Sequence, residues 1–524
     1  MPATFALILH AHLPFVRHPE HEDFLEEDWL FEALTETYLP LLRVLWRLAE
    51  EEVRFQIAIS LTPTLGAMLK DDLLRQRYRR YLERLIGLAD REVERHGGHP
   101  PLRALAEFYA GFFRETREFY EKTLGADVVR AFRELQEADH LEIIASAATH
   151  AFLPLLHDLP EAQWAQIRIG CDSYREMFAR QPNGFWLPEC GYGEGLDARL
   201  QQADLRWFVL DAHGLMLGHP RPQRAIFAPC YTPAGPAGFA RDRESNLEVW
   251  SAQHGYPGAP LYRDFYRDIG FERSEEELAP FLHPTGVRKF TGIKYHRVTG
   301  AAVKEIYDRP AAVARAEEHA HDFFEKCARR FRILRKAKFE PVIVSPFDAE
   351  LFGHWWFEGP HFLESFIRRA AAEPSEFELG TPGDFLRRQS AQQIVRPNPS
   401  SWGERGFSGV WLDEKNAWMY PHLHGASRRM TEIARRHRET NQPEIERALQ
   451  QAARELLLAQ ASDWAFLIKT NTAPDYARRR TKEHLLHFDR LYQELESGEI
   501  DFSFLEKREA RANLFPNLNW RYYL

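Results

Sequence analysis

The sequence predicts an α/β fold: a distorted, TIM-like (β/α)7 barrel with a helical insertion and a C-terminal all-helical domain. Short apolar runs rich in β-branched residues alternate with helical stretches over residues 5–345, which is typical of parallel strands covered by helices. Seven such runs are enough to close a barrel, although an open doubly wound sheet is an alternative. The length of 524 residues also requires more than one packed unit.

The apolar runs are the predicted barrel strands. They are Phe5–His10, Val53–Ile59, Leu141–Ala147, Gly184–Leu187, Trp207–Leu210, Thr291–Tyr295 and Glu340–Ser345. Polar residues follow most of them directly. Because the carboxyl ends of parallel barrel strands meet at one face, we expect these polar groups to gather there.

Two parts of the chain depart from this alternation and are predicted to be helical. The insertion, over residues 66–139, has apolar residues at helical spacing, including Leu74, Tyr78, Leu82 and Leu85. Residues 396–401 read Arg-Pro-Asn-Pro-Ser-Ser and are predicted to be a linker. Residues 396–524 then form a helical domain that contributes to the active-site cleft, which leaves 1–65 and 140–395 for the barrel.

Composition excludes several classes of protein. The net charge of -9 comes without a cluster of basic residues, so no nucleic-acid partner is expected. No run approaches the ~20 apolar residues of a membrane helix, and the N-terminus lacks the pattern of a secretory signal. We expect a cytoplasmic, monomeric enzyme with no membrane partner. The cysteines are too few for a disulfide framework or a zinc knuckle: Cys171, Cys190, Cys230 and Cys327.

Two carboxylates follow predicted strands on constrained turns. Glu189 comes directly after Pro188, and Asp348 follows Pro346 and Phe347. Paired carboxylates are what glycoside cleavage requires, because one attacks or stabilises the sugar carbon while the other donates a proton to the leaving oxygen. The chain also holds 13 Trp and 18 Tyr, rings of the kind that stack on sugars. We therefore expect chemistry at sugar–sugar bonds.

A metal site is the rival interpretation. His10 and His12 share one face of the first predicted strand, as in some metal-dependent amidohydrolases, and His150, His296 or Asp211 could complete the ligand set. Alternatively, the histidines bind substrate hydroxyls as hydrogen-bonded wall residues. A glucan-binding protein without catalysis is a third possibility, although a binder has no need of both carboxylates.

Several motifs together resemble glycoside hydrolase family 57. They are His10-Ala-His12-Leu-Pro14, Ala147-Ala-Thr149-His150, Trp186-Leu-Pro-Glu189, Ser345-Pro-Phe-Asp348-Ala-Glu-Leu-Phe-Gly-His354-Trp-Trp356 and Asp463-Trp464. The resemblance spans nearly the whole chain. It implies the same architecture: a (β/α)7 barrel, a helical insertion and a C-terminal helical domain.

Within that family the chain resembles the 1,4-α-glucan branching enzymes, as the His-Ala-His-Leu-Pro start and the pair Trp402 and Trp411 indicate. The resemblance implies an α-1,4-glucan substrate, a retaining mechanism, Glu189 as nucleophile, Asp348 as general acid and base, and no metal or cofactor. An α-amylase-like hydrolase or a 4-α-glucanotransferase on the same site remains the alternative.

The resemblance also implies a set of substrate-binding residues. Arg263, Trp402 and Asp463 match positions that contact sugar in that subgroup, and the expected companions are His10, His12, His150, Trp411 and Tyr231. Phe271 departs from the pattern, because some members place a Trp there. The segment Ala228–Gly238 is rich in Gly and Pro and is predicted to be a mobile lid carrying Tyr231, which favours transfer over hydrolysis by excluding water.

Overall fold

The computed structural model describes residues 3–251, 255–279, 281–283, 285–300 and 303–524. Its strands are β1 Thr4–Ala11, β2 Ile57–Leu61, β3 Leu141–Ser146, β4 Gly184–Trp186, β5 Trp207–Leu210, β6 Cys230–Tyr231, β7 Ala237–Ala240, β8 Val342–Asp348 and β9 Glu378–Leu379. They form one sheet in the order β6-β7-β5-β4-β3-β2-β1-β8, with β9 beside β1. Every neighbouring pair is parallel except β6 and β7.

The two ends of the parallel sheet are joined. Arg241, directly after β7, forms a bridge with Val344 of β8. The next residue, Asp242, donates its N–H to the Val344 carbonyl at 2.7 Å. Seven parallel strands therefore close into a barrel, as the sequence predicts, and their carboxyl ends face one cleft.

Six of the seven predicted strands are confirmed, and the seventh is wrong. Thr291–Tyr295 is irregular, because the Asp268 carboxylate accepts the N–H groups of Thr291 and Gly292 at 3.0 and 2.9 Å. The missing strand is β7, inside the predicted lid.

The lid prediction is therefore also wrong. Tyr231 pairs with Ala237 in a two-stranded hairpin, and its N–H donates to the Gln393 carbonyl at 2.9 Å. Ala237 is the first residue of β7 and pairs with Trp207, the first residue of β5. Tyr231 thus lies at the amino-terminal end of the barrel, opposite to the cleft.

Helices cover the barrel and fill the insertion. Those before β2 are α1 Asp28–Ala33 and α2 Leu39–Glu50, separated by the π-helical turn Leu34–Tyr38. The insertion contains α3 Pro63–Lys70, α4 Asp72–Arg95, α5 Pro100–Glu118 and α6 Val128–Glu137. The predicted apolar face of α4 is buried. The remaining barrel and loop helices are α7 Pro160–Phe178, α8 Leu196–Gln202, α9 Ala212–Met216, α10 Arg243–Trp250, α11 Ile269–Glu272, α12 Glu275–Leu278, α13 Arg309–Leu334, α14 Gly359–Ala372 and α15 Pro382–Arg388.

The C-terminal part is helical. It comprises α16 Met419–Arg436, α17 Pro443–Ala459, α18 Ser462–Thr470, α19 Pro474–Ser497 and α20 Phe502–Arg511. The segment before α16 runs along the barrel, where Arg396 and Ser400 form bridges with His219 and Tyr192. This path carries Trp402 to the carboxyl ends of the strands. All four cysteines are free and buried. Within the described ranges, every helix is too short or too polar to cross a bilayer.

Candidate active site

Two residues at strand ends adopt a left-handed backbone conformation. Glu189 has φ 63° and ψ 21°, and His150 has φ 58°. Such a conformation costs on the order of 1–3 kcal/mol for a residue with a side chain, and it persists only where the surroundings hold it. The Glu189 carbonyl accepts the N–H of Trp402 at 3.0 Å, and the His150 carbonyl accepts the N–H of Ser462 at 3.1 Å. The C-terminal part therefore holds both strained residues in place.

The Glu189 carboxylate is fixed by two donors from that same part of the chain. Trp402 Nε1 donates to Oε2 at 2.9 Å, and Ser462 Oγ donates to Oε1 at 2.9 Å. Burial raises the pKa of Glu189, whereas the two hydrogen bonds oppose that rise by stabilising the ionised form. The result is an oriented carboxylate that remains 14% exposed toward the cleft.

A chain of neutral histidines continues from Ser462. Because the serine hydroxyl donates to Glu189, it accepts a hydrogen bond from His150 Nδ1, 2.9 Å away. His150 Nε2 then accepts from His10 Nε2 at 3.0 Å, and the His10 ring stacks on Trp186 with centroids 4.4 Å apart. Burial, together with the positive charge of a nearby histidine, lowers the pKa of both His10 and His150.

His12 is different, because it faces a carboxylate. Its Nε2 lies 3.0 Å from Asp463 Oδ1, and its Nδ1 lies 3.0 Å from Thr62 Oγ1. Burial alone would lower the pKa of His12, but Asp463, with the nearby charges of Glu189 and Glu350, outweighs burial and the pKa is raised. Asp463 lies in the first turn of α18, so this contact ties the C-terminal part to the first barrel strand.

Asp348 ends β8, and none of the described residues donates a hydrogen bond to its carboxylate. Burial, followed by the charges of Glu350 and Glu189, raises the pKa of Asp348 well above its ordinary value, against the opposing effect of Arg241. Glu350 is held in place by the His12 N–H at 3.1 Å and by the hydroxyl of Tyr38. Burial also raises the pKa of Glu350, to about 6.

Arg241 supplies positive charge near Asp348. Its guanidinium lies 2.7 Å from Asp211 and 5.8 Å from the centroid of the Trp402 ring. Asp211 in turn lies 2.8 Å from His213. Sequence reasoning missed Arg241 because it missed β7. It also missed Ser462, although this serine directly precedes the Asp463-Trp464 motif and could have been found there.

The structure brings most of the predicted site residues into one network. Linked by hydrogen bonds or ring contacts are Glu189, His10, His12, His150, Trp402 and Asp463. Trp411 packs beneath this network: its side chain is 1% exposed, and its ring stacks on Phe152 with centroids 4.4 Å apart.

Arg263 lies in a separate buried cluster. Its guanidinium pairs with Glu36 at 2.7 Å and lies 3.8 Å from the centroid of the Phe357 ring. Burial would raise the pKa of Glu36, but Arg263, together with His354 and Lys294, lowers it to about 2. Sugar contacts by Arg263 and Trp411 stay predictions.

The histidines do not form the predicted His-x-His metal pair. Among the described residues, the group at the cleft with ligand spacing is His12, His150 and Asp463, without His10. Both ring nitrogens of His150 and of His12 are already engaged in hydrogen bonds. A metal bound by this group would displace hydrogen bonds that these side chains already make, so the donor set does not suit a catalytic ion.

A second histidine group, distant from the cleft, is also saturated. It consists of Glu455, His484 and His487. Each histidine Nε2 atom contacts an arginine: Arg480 lies 2.9 Å from His484, and Arg508 lies 3.0 Å from His487. Two guanidinium groups at the outer nitrogens repel a metal cation.

Comparison with known proteins agrees with this geometry. The family model for glycosyl hydrolase family 57 matches residues 6–397. The chain belongs to this family. A model for the C-terminal region of 1,4-α-glucan branching enzymes matches residues 422–523. A branching enzyme of Thermococcus kodakarensis is 34% identical over 98% of this chain and 78% of its own.

Solved structures also match over the whole chain. A novel α-amylase of Thermotoga maritima is 43% identical, with a TM-score of 0.93, and the match covers 99% of its chain. A branching enzyme of this family from Pyrococcus horikoshii is 32% identical, with a TM-score of 0.89, and the match covers 97% of its chain. The barrel and the C-terminal part therefore occur together in these relatives.

Proposed function

We propose that this chain is a 1,4-α-glucan branching enzyme. It cleaves an α-1,4 bond of a glucan and rejoins the freed chain to a 6-hydroxyl, which creates an α-1,6 branch. The observation that carries the proposal is the Glu189 carboxylate, held by Trp402 and Ser462 across the cleft from Asp348. The branching-enzyme relatives and the matched C-terminal region support the choice of substrate and product.

The first step forms a glycosyl-enzyme. Glu189 attacks the anomeric carbon, and a new carbon–oxygen bond forms as the glycosidic bond breaks. Asp348 gives its proton to the leaving oxygen, which departs as the free 4-hydroxyl of the released chain. In the second step the Asp348 carboxylate takes the proton of an incoming 6-hydroxyl, whose oxygen attacks the same carbon and releases Glu189. Two inversions give net retention.

The protonation states of the two residues suit these roles. The acid must hold its proton near neutral pH, and burial beside Glu350 raises the pKa of Asp348. The nucleophile must be ionised, and its two donors stabilise the negative charge. Around it, the Asp463 carboxylate, positioned by His12, offers acceptor oxygens to sugar hydroxyls. The half-buried Trp402 and the exposed Trp250, whose ring centroids lie 6.4 Å apart, offer stacking surfaces.

Hydrolysis is the competing outcome on the same residues. One observation favours it: the structure at 43% identity is that of an α-amylase. In addition, the predicted lid does not exist, so Tyr231 offers no explanation of how water is excluded. A glycosyl-enzyme reacts with water or with a sugar hydroxyl. The ratio of these two rates determines whether the enzyme is a hydrolase or a transferase.

The test is incubation of the purified protein with amylose. New α-1,6 linkages are counted by proton NMR while new reducing ends are assayed in parallel. We expect α-1,6 signals to exceed the new reducing ends. Reducing ends without α-1,6 linkages contradict the branching proposal and indicate an α-amylase. A lack of change in both contradicts glucan chemistry altogether.

We further propose that the enzyme is monomeric and cytoplasmic, uses no cofactor and serves the synthesis of a glycogen-like store. Light scattering after gel filtration should give a mass near 61.2 kDa. A mass twice as large contradicts the monomer. Activity that disappears on dialysis against a chelator and returns with a metal contradicts the absence of a cofactor.

A further inference from the structure

A histidine near the end of β5 has no role in the chemistry above. His213 lies in the first turn of α9, and its side chain is 22% exposed. Its Nδ1 lies 2.8 Å from Asp211 Oδ1, and its Nε2 lies 2.8 Å from the carbonyl oxygen of Gly406. The histidine therefore connects the end of a barrel strand to the segment that carries Trp402.

Neither of these two oxygens can donate a proton to the ring. A backbone carbonyl oxygen only accepts hydrogen bonds. The other oxygen of Asp211 lies 2.7 Å from Arg241, so Asp211 faces the histidine as a carboxylate, which also only accepts. Both ring nitrogens must therefore donate. In this geometry His213 is an imidazolium, and Asp211 is shared between two cations.

This charged group adjoins the two catalytic carboxylates. Cys190 directly follows Glu189 and is buried. Burial raises the pKa of the Cys190 thiol, and the other charges that act on it are those of Arg241, Asp211, Glu189 and Asp348. Because all four charges act on one buried atom, the pair of Arg241 and Asp211 belongs to the surroundings of the cleft.

Residues 402–407 form a tight turn, which we call the tryptophan loop. The Gly406 N–H donates to the Gly403 carbonyl at 2.9 Å, and the Ser401 N–H donates to the Gly406 carbonyl at 2.8 Å. Arg405 has φ 59° and Gly406 has φ 80°. The left-handed backbone at Arg405 costs on the order of 1–3 kcal/mol, and it persists only where neighbouring groups hold it.

His213 contacts the tryptophan loop at its left-handed residues. The Gly406 carbonyl accepts the N–H of Ser401 and that of the imidazolium. A Cβ atom on Gly406 would lie 2.5 Å from His213 Cε1, so the close approach requires a glycine. The Phe407 ring lies edge-on to the imidazole, with centroids 5.5 Å apart. The imidazolium thus holds the strained turn from the barrel side.

The tryptophan loop begins with a residue that positions Glu189. The backbone N–H of Trp402 donates to the Glu189 carbonyl at 3.0 Å, and its indole Nε1 donates to Oε2 at 2.9 Å. Hydrogen bonds of this kind span about 2.7–3.2 Å, so a shift of the indole by about an ångström would break the contact. The position of the loop therefore decides whether the carboxylate is held.

We propose that His213 is a positioning residue for Glu189. As an imidazolium held by Asp211, it fixes the tryptophan loop through the Gly406 carbonyl. The loop in turn places the indole N–H of Trp402 on the Glu189 carboxylate. The inference rests on the proposed function, since it takes Glu189 as the nucleophile. It applies equally to branching and to hydrolysis, because both begin with the same glycosyl-enzyme.

The first test observes the Trp402 indole directly and needs no turnover. In NMR spectra of protein with isotope-labelled tryptophan, the indole N–H signal of Trp402 is assigned by its loss in Trp402→Phe. In His213→Ala this signal should move upfield, because its hydrogen bond to Glu189 is weakened, while the signals of tryptophans outside the cleft stay in place. An unmoved Trp402 signal overturns the proposal.

A conservative variant separates the donor from the bulk of the side chain. His213→Gln keeps a side-chain N–H at the position of Nε2, where it can donate to the Gly406 carbonyl. This variant should therefore leave the Trp402 signal near its parental position and regain most of the activity lost in His213→Ala. A His213→Gln enzyme as impaired as His213→Ala contradicts the assignment of the donor to Gly406.

The second test is a double-mutant cycle on turnover of amylose. Turnover is counted as new reducing ends plus new α-1,6 linkages, so it does not depend on how the glycosyl-enzyme is consumed. His213→Ala should lower kcat about three- to tenfold with KM within about twofold of the parent, and Trp402→Phe should lower kcat about tenfold, the size of one hydrogen bond to a charged group.

The cycle shows whether the histidine acts through the indole. In the Trp402→Phe background, His213→Ala should cause no further loss of kcat, whereas in the Ser462→Ala background it should keep its full effect. Equal fold losses in the parent and in the Trp402→Phe background overturn the proposal, because they mean that His213 acts independently of Trp402.

Two further variants complete the experiment. His422→Ala, which changes an exposed histidine on α16, is the matched control and should keep the parental kcat and indole signal. Gly406→Ala drives a methyl group against the imidazole and should reproduce the losses of His213→Ala, so it serves if circular dichroism shows that His213→Ala is unfolded. If the parent does not turn over amylose, the proposed function fails, and the indole signals alone then decide the role of His213.

Discussion

Glu189 and Asp348 are buried carboxylates at the ends of barrel strands, yet the residues that surround them differ. We call the residues around each carboxylate its wall. The Glu189 wall comes from the C-terminal part, supplies two hydrogen-bond donors and holds a strained backbone. The Asp348 wall comes from the barrel itself, supplies no donor from the described residues and places a second carboxylate nearby. The first wall stabilises the ionised form of Glu189, whereas the second disfavours the ionised form of Asp348.

This contrast shows how one cleft assigns two roles to the same functional group. Donors lower the pKa of a carboxyl, while burial beside a like charge raises it. The cleft uses the first effect to restrain the pKa of Glu189 and the second to raise that of Asp348. The proposed nucleophile and acid are thus separated by environment rather than by residue type. The predictions below remove one part of a wall at a time.

The largest effect is expected from replacing Glu189, the proposed nucleophile. Glu189→Gln should lower kcat on amylose by about 10⁴-fold, because the amide cannot form the glycosyl ester. Maltoheptaose affinity should stay within about twofold of the parent. The matched control is Glu404→Gln, which makes the same change to an exposed carboxylate. A Glu189→Gln enzyme that keeps a tenth of the parental rate contradicts the role assignment.

Asp348→Asn should come next, with kcat lower by about 10²–10⁴-fold, the usual contribution of general acid–base catalysis. With a glycosyl fluoride as substrate, the rate of the first step should be largely restored, because fluoride leaves without a proton. Equal losses on amylose and on the fluoride would mean that Asp348 acts in another way.

Ser462→Ala removes one of the two donors to Glu189. We expect kcat to fall by about tenfold, the size of one hydrogen bond to a charged group. The variant should also shift the acid limb of the pH profile to higher pH, because losing the donor raises the pKa of Glu189. Ser497→Ala, which changes a serine at the end of α19, is the control. An unmoved acid limb contradicts the proposed role of the donor.

Glu350→Gln should change the basic limb of the pH profile. Removing the neighbouring negative charge makes Asp348 easier to ionise and so lowers the pKa of Asp348. Activity needs the protonated acid and is lost as pH rises through that pKa, so the basic limb should move to lower pH. We expect a change in kcat of only about threefold at the optimum. A basic limb that moves upward or stays fixed would falsify the electrostatic account of this wall.

Tyr231→Ala should have the smallest effect on chemistry. Tyr231 packs against the apolar interior at the amino-terminal end of the barrel, so its loss should cost about 1–3 kcal/mol of stability. The ratio of α-1,6 linkages to reducing ends should not change. A selective loss of transfer would restore the lid interpretation.

Sequence reasoning succeeded where local pattern and chemistry agree. Apolar runs gave six strands, and the polar residues after them included both carboxylates. It failed at Ala237–Ala240, where a side chain at position 238 would crowd Leu210 and Phe208, so the strand carries a glycine that weakens its sequence signal. Such a fit depends on tertiary contacts and leaves no periodicity in the sequence. Because this strand was not predicted, Arg241, which directly follows it, was not predicted as a site residue either.

Long-range contacts account for the other gaps. Ser462 is separated from Glu189 by 273 positions, so no local pattern links the two. The burial of Trp411 on Phe152 likewise depends on how the C-terminal part docks. Motif resemblance could place these residues near the cleft, but it could not tell a ring that lines a cleft from one that packs beneath it.

The most direct test of the central claim is to trap the covalent intermediate. The Asp348→Asn enzyme is treated with α-maltosyl fluoride, which forms the glycosyl-enzyme without an acid and leaves no base to remove it. Mass spectrometry of the digested protein should then find a maltosyl group on the peptide that contains Glu189, and no label in the Glu189→Gln, Asp348→Asn double variant. Label on any other residue, or rapid turnover without a trapped ester, would contradict the mechanism.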